Sequence, residues 1–149
     1  MYTVDPTPRA VQHVQKYAGD VTFIPVGVWH ESGEVTFTPY RKREDCWSVD
    51  TSASAHQGDG EGTHRFPVLS LKDLVARTDE QDVAILKIDI EGAEHAVIKS
   101  MVRDGIKPAC FCVEFDDFGL WKVLSSHRTL VQYGYTLMQI ENRNLIYRL

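Results

Sequence analysis

The run Ile85-Leu-Lys-Ile-Asp-Ile-Glu-Gly-Ala-Glu94 constrains the fold more than any other stretch. Val83 to Ile90 is almost continuously apolar, the pattern of a central strand covered on both faces. It stops in carboxylates: Asp89, then Glu91 pointing the same way. Gly92 permits a sharp turn. Ala93, Ala96, Val97, Ile98 and Met101 then recur at helical spacing until Gly105. A strand that ends in acids at a helix start is how an open α/β sheet builds a binding edge, because ligands settle at the carboxyl ends of its strands.

The remaining text alternates in the same way. Tyr2 to Val4 reads as a strand ending at Asp5, with Thr7 as N-cap and Pro8 in the first helical position. Val21 to Val28 predicts a second strand, in which Pro25 marks an edge position or a break. Glu31-Ser-Gly33 is a turn, and Val35-Thr-Phe-Thr38 alternates as the return strand of a hairpin would. Residues 41–65 are polar and predict a long loop. Its Gly58-Asp-Gly60-Glu-Gly62 follows no strand and opens no helix, so it reads as surface loop and not as a phosphate cradle. Ser70 and Asp73 form a capping signal ahead of Leu71, Leu74 and Val75. Ala109 to Phe115 predicts a buried strand carrying Glu114, followed by Asp116 and Asp117. A helix over Leu120 to Val131 stops at Gly134, and a hairpin turns at Glu141-Asn-Arg-Asn144. The expectation is a single α/β domain over residues 1–149, with a mostly parallel sheet and a C-terminal antiparallel hairpin.

Composition narrows the function classes. With 16 Lys plus Arg against 21 Asp plus Glu, the net charge is -5, which argues against a nucleic-acid partner. The basic run Arg41-Lys42-Arg43 is followed at once by Glu44 and Asp45, as in a solvated loop. No apolar stretch approaches the roughly 20 residues of a membrane span, and no charged-then-apolar leader opens the text, so a cytoplasmic chain is expected. Cys110 and Cys112 lie two apart on one strand, point in parallel and are poor disulfide partners, and Cys46 is distant. Buried reduced thiols are the expectation, and not a zinc site.

Asp5-Pro6 at a strand end, Lys87-Ile-Asp-Ile-Glu-Gly-Ala-Glu94 and Val113-Glu114 form an ordered set. Together they resemble the FkbM family of S-adenosylmethionine-dependent methyltransferases. Thr7-Pro8-Arg9, Ile24-Pro-Val-Gly-Val28 with Ser32-Gly33-Glu34, and Leu69-Ser-Leu-Lys-Asp-Leu74 agree with further segments of that family. The resemblance covers nearly the whole chain. It implies a Rossmann-like class I methyltransferase sheet that starts at the family's second strand, without the first strand and its glycine-rich turn. It also implies methyl transfer from S-adenosylmethionine to a hydroxyl of a small polar or sugar-like acceptor.

The resemblance gives the residues roles. Asp5 and Pro6 lie at the cofactor, with Asp5 accepting hydrogen bonds from ribose; the bland reading of Asp5 is a partner for the dipole of the helix that follows. Trp29 and His30 lie beside the adenine, or Trp29 simply closes the core. Asp89 stands near the reactive methyl, where it orients or deprotonates the acceptor hydroxyl, with Glu91 and Glu114 on the same edge. His95, four residues after Glu91, suits a helical ion pair. Two rivals accompany this reading. One is a non-catalytic domain whose sheet is completed by a second copy or by a partner's strand. The other is a hydrolase holding Mg²⁺ on Asp89, Glu91, Glu114 and Asp116.

Overall fold

The β-branched and aromatic triplets near the N-terminus make the first pairing. In the computed structural model, which describes residues 1–14, 19, 21–40, 43–49, 64–78, 80, 82–90, 92–115 and 119–149, β1 (Tyr2–Val4) runs parallel to β2 (Thr22–Ile24). The helix α1 (Pro8–Val14) connects them, and Thr7 Oγ1 caps it by accepting from Ala10 N at 3.3 Å. The strand expected over 21–28 is broken at Pro25, which has no N–H to offer a ladder. Its second part, β3 (Gly27–Trp29), belongs to a different sheet.

That sheet has the order β3-β6-β4-β5, where β4 is Gly33–Tyr40, β5 is Arg43–Val49 and β6 is His64–Ser70. β4 returns after the turn as expected but pairs with β6, not β3, because β6 inserts parallel to β3 between them. Residues 43–49, expected within a loop, form β5 antiparallel to β4. Residues 50–63 of that loop lie outside the described residues. A side chain at Gly27 would meet Val68 Cγ1 at 3.0 Å and Phe37 at 3.3 Å, so a bare backbone is what lets β3 and β6 close over this small core.

The third sheet, β7-β8-β10-β9, carries the main core. It comprises β7 (Ile85–Ile88), β8 (Cys110–Glu114), β9 (Thr136–Glu141) and β10 (Asn144–Arg148). Only β7 and β8 are parallel; β10 is antiparallel to both β8 and β9. Among the described residues three strand pairs are parallel and four antiparallel, so the sheets are mixed and not mostly parallel. The C-terminal antiparallel hairpin is present. Asn142 takes φ 55 at its turn.

The helices α2 (Leu71–Ala76), α3 (Glu94–Arg103) and α4 (Leu120–Gln132) complete the described elements. Alternation decides the faces. Phe111 and Val113 of β8 and Leu145 and Tyr147 of β10 are buried with Ile88, Val97, Ile98, Met101 and Leu130. Each such side chain contributes about 1.5–3 kcal/mol when fully buried. The opposite face is open. Ile85 on that face is 71% exposed, so β7 is not the doubly covered strand its composition suggested, and among the described residues it lies at the edge of its sheet. Cys110 and Cys112 share that open face; they are free thiols as expected, but only half-buried.

Candidate functional site

The carboxylate edge arises from register. Lys87 and Asp89 lie two apart on β7 and its continuation, and therefore on one face. Lys87 stands opposite Cys112 and Ile88 opposite Val113, which brings Glu114 level with the position after Ile88. Across β8, Asn144 is the partner of Glu114. Three adjacent strand ends thus each deliver a polar group to one rim.

Lys87 ties that rim together. Its Nζ donates to Glu114 Oε2 at 3.2 Å and to Asn144 Oδ1 at 3.2 Å, and stands 3.6 Å from Asp89 Oδ2. Burial alone would lower the lysine pKa; the Glu114 hydrogen bond and the charges of Asp89 and Glu114 outweigh it and raise the pKa. The ammonium is therefore a fixed positive charge at neutral pH. Burial pushes the neighbouring Cys112 thiol up, which keeps it protonated at neutral pH. Sequence reasoning passed over both Lys87 and Asn144. The signal for Lys87 was its i, i+2 relation to Asp89; nothing in the text linked Asn144, which is 57 residues away.

The turn after the rim is held by a buried acid. Gly92 has φ 120, a conformation side chains rarely adopt. Its N–H donates to Glu94 Oε1 at 3.1 Å and Oε2 at 3.2 Å, and Glu94 is fully buried at the start of α3. A carboxylate there meets free N–H groups and the positive end of the helix dipole. His95 Nδ1 lies 2.8 Å from Ser126 Oγ of α4. Glu91, the partner expected for His95 and a candidate for the rim, lies outside the described residues, as does Asp116.

The other candidates occupy separate places. Asp5 Oδ1 accepts from Thr7 N at 2.7 Å, just ahead of α1. Val4, just before it, packs against the same core as Ile88 and Ile90. Pro6 lies toward β3, where its Cγ is 3.5 Å from the Cβ position of Gly27. Trp29 packs between the two cores. The His30 carbonyl accepts from Arg103 Nη2 at 3.3 Å, at the last residue of α3. Asp89 precedes the first residue of that helix, whose ten residues span about 15 Å. His30 and Asp89 therefore sit toward opposite ends of α3. His30 instead borders a polar cavity of about 260 Å³ with Ser32, Ser70, Asp73 and Arg103.

Among the described residues no group of three His, Cys, Asp or Glu converges as metal ligands would, and no helix is long and apolar enough to cross a membrane. The rim offers two carboxylates, a carboxamide oxygen and one ammonium, with Lys87 and Asp89 about half exposed and Glu114 less so. Chemically it can accept protons from hydroxyls and hold a cationic group.

The family model described as methyltransferase FkbM domain matches residues 5–140, and the chain belongs to that family. No curated protein and no solved structure matches it.

Proposed function

We propose that this member of the methyltransferase FkbM domain family transfers a methyl group from S-adenosylmethionine to a hydroxyl of a small polar or sugar-like acceptor. We read β7-β8-β10-β9 as part of a Rossmann-like class I sheet. The observation that carries the proposal is the placement of Asp89 and Glu114, both held by Lys87, at the ends of two adjacent parallel strands, with Asp89 just before the α3 turn. The side chain of Asp89 is 47% exposed, so a ligand can reach it. The rim and Asp5 suit the cofactor in charge and hydrogen bonding, since carboxylates match a sulfonium and accept from ribose hydroxyls, whereas Trp29 and His30, expected beside the adenine, lie away from the rim. Asp5 uses Oδ1 for Thr7, which leaves Oδ2 for a ribose hydroxyl.

When bound, S-adenosylmethionine supplies an electrophilic methyl carbon. The chain's own part is orientation and proton handling. Asp89 accepts the hydroxyl proton of the acceptor as oxygen becomes the nucleophile. Glu114, held by Lys87, fixes the floor beside it. Gly92 and Glu94 fix the turn that follows Asp89, and β8 presents Glu114. Alignment of acceptor and methyl carbon is the largest rate contribution available to such a site.

Isothermal calorimetry with S-adenosylmethionine tests the reading directly, and saturable heat is the expected result. Asp89→Asn is expected to retain the fold by circular dichroism and to lower methyl transfer by about 100-fold or more. No cofactor binding at millimolar concentration, or full activity in Asp89→Asn, sinks the proposal.

A second reading is favoured by one observation. β7 pairs only with β8 among the described residues, and Ile85 beside its open edge is 71% exposed. An open apolar parallel edge is a template for another strand. In this reading a second copy or a partner's strand completes the sheet. Light scattering coupled to size exclusion tests the homodimer; a monomer at all concentrations removes that version.

A further inference from the structure

Two carboxylates at neighbouring strand ends repel each other, and a positive charge placed between them offsets that repulsion. On this rim the offset comes from within the chain. β7 contributes Lys87 and, one pleat later, Asp89; β8 contributes Glu114; β10 contributes Asn144 opposite Glu114. The lysine ammonium carries three donors. It spends two at 3.2 Å on Glu114 Oε2 and Asn144 Oδ1, and Asp89 Oδ2 stands at 3.6 Å. All three acceptors are oxygens. Two carboxylates and a carboxamide are also the donor set that a hard divalent cation prefers.

We infer that Lys87 is the positioning residue of this rim and its built-in counter-charge, standing where a divalent cation would otherwise sit among Asp89, Glu114 and Asn144. The lysine fits the task by placement. It lies one pleat below Asp89 on the same face, so its four-carbon stem brings a point charge up to the level of the three oxygens. It also links three strands whose side chains are far apart in sequence, with 27 residues separating it from Glu114 and 57 from Asn144. The role concerns the rim itself and holds whatever the acceptor is.

Titration of Mn²⁺ into the wild-type chain, Lys87→Met and Lys87→Arg, followed by loss of the free-ion electron paramagnetic resonance signal, tests this. Lys87→Met keeps the stem and removes the charge. It is expected to bind Mn²⁺ at least about tenfold more tightly than wild type, because it leaves carboxylates without their counter-ion. Lys87→Arg restores a cation and is expected to return Mn²⁺ affinity to the wild-type level, and Lys87→Met with Glu114→Gln is expected to lose the gain. Equal Mn²⁺ affinity in wild type and folded Lys87→Met overturns the inference, as does tight Mn²⁺ binding by wild type. If Lys87→Met does not fold, ¹⁵N resonance of the wild-type lysine ammonium decides. The Lys87 signal is expected to move in Glu114→Gln and in Asn144→Ala, and an unmoved signal in both overturns the inference. A chain that ignores S-adenosylmethionine leaves the Mn²⁺ comparison intact, so failure of the methyltransferase reading and failure of this one are told apart.

Discussion

Ser70 shows how one hydroxyl decides whether a short helix persists. α2 has six residues, too few to be stable alone. Ser70 Oγ accepts from Asp73 N at 3.1 Å and donates to Asp73 Oδ2 at 2.9 Å. Ser32 joins the same group, donating to Asp73 and accepting from Ser70 N at 2.9 Å. The cap thereby also anchors the turn between β3 and β4. Ser70→Ala is expected to cost about 1 kcal/mol, read from the midpoint of urea unfolding. A change under a few tenths would show that the helix is held by Leu71 packing alone. This cap was legible in the text, because an S-x-x-D pattern acts within one turn. The Lys87–Asn144 bond was not, because no local rule connects residues in β7 and β10. The same contrast separates Gly92, whose need for a positive φ was readable, from Glu94, whose burial was not.

Between elements, the α3–α4 interface carries a titratable group. His95 lies against Ser126, which is fully buried. Burial holds the His95 pKa below 6.5, and the charges of Lys99 and Lys122 push the same way. The histidine is thus neutral in the folded chain at pH 7. A depressed pKa means that the unfolded chain binds the proton more readily. The contribution to stability is therefore complete above pH 6.5 and is lost as pH falls from there through the lower folded value. Thermal unfolding of wild type and His95→Gln between pH 8 and pH 5 is expected to show the wild type losing more stability on acidification. Parallel curves would remove His95 as a source of that loss. Helical spacing had made His95 an ion-pair candidate with Glu91; its contact with Ser126, 31 residues on, depends on how two helices cross.

At the scale of the molecule, Trp29 packs against both hydrophobic clusters. One is the large core beneath β7-β8-β10-β9; the other holds Phe37 and Val68 in the β3-β6-β4-β5 sheet. Trp29→Ala is expected to remove about 3–5 kcal/mol, with hydrogen exchange rising in β4 and β6 more than in β8 and β10. Uniform exchange increases would argue that the sheets unfold together. The family resemblance had left Trp29 between a place beside the adenine and one closing the core, and Trp29 does pack against both cores. The sequence by itself determined the ends of elements and the identity of the rim: Pro25 splitting a strand, Gly134 stopping α4, Asp89 and Glu114 closing apolar runs, and the family to which these belong. Each of those depends on neighbours along the chain, where φ, hydrogen-bond donors and side-chain alternation are set residue by residue. Only the tertiary structure decided which strand sits beside which, that β6 intrudes between β3 and β4, that β7 lies at an edge, and that Lys87 gathers three strand ends. Those outcomes come from competition between distant apolar faces for the same core, and no short stretch of sequence carries the result.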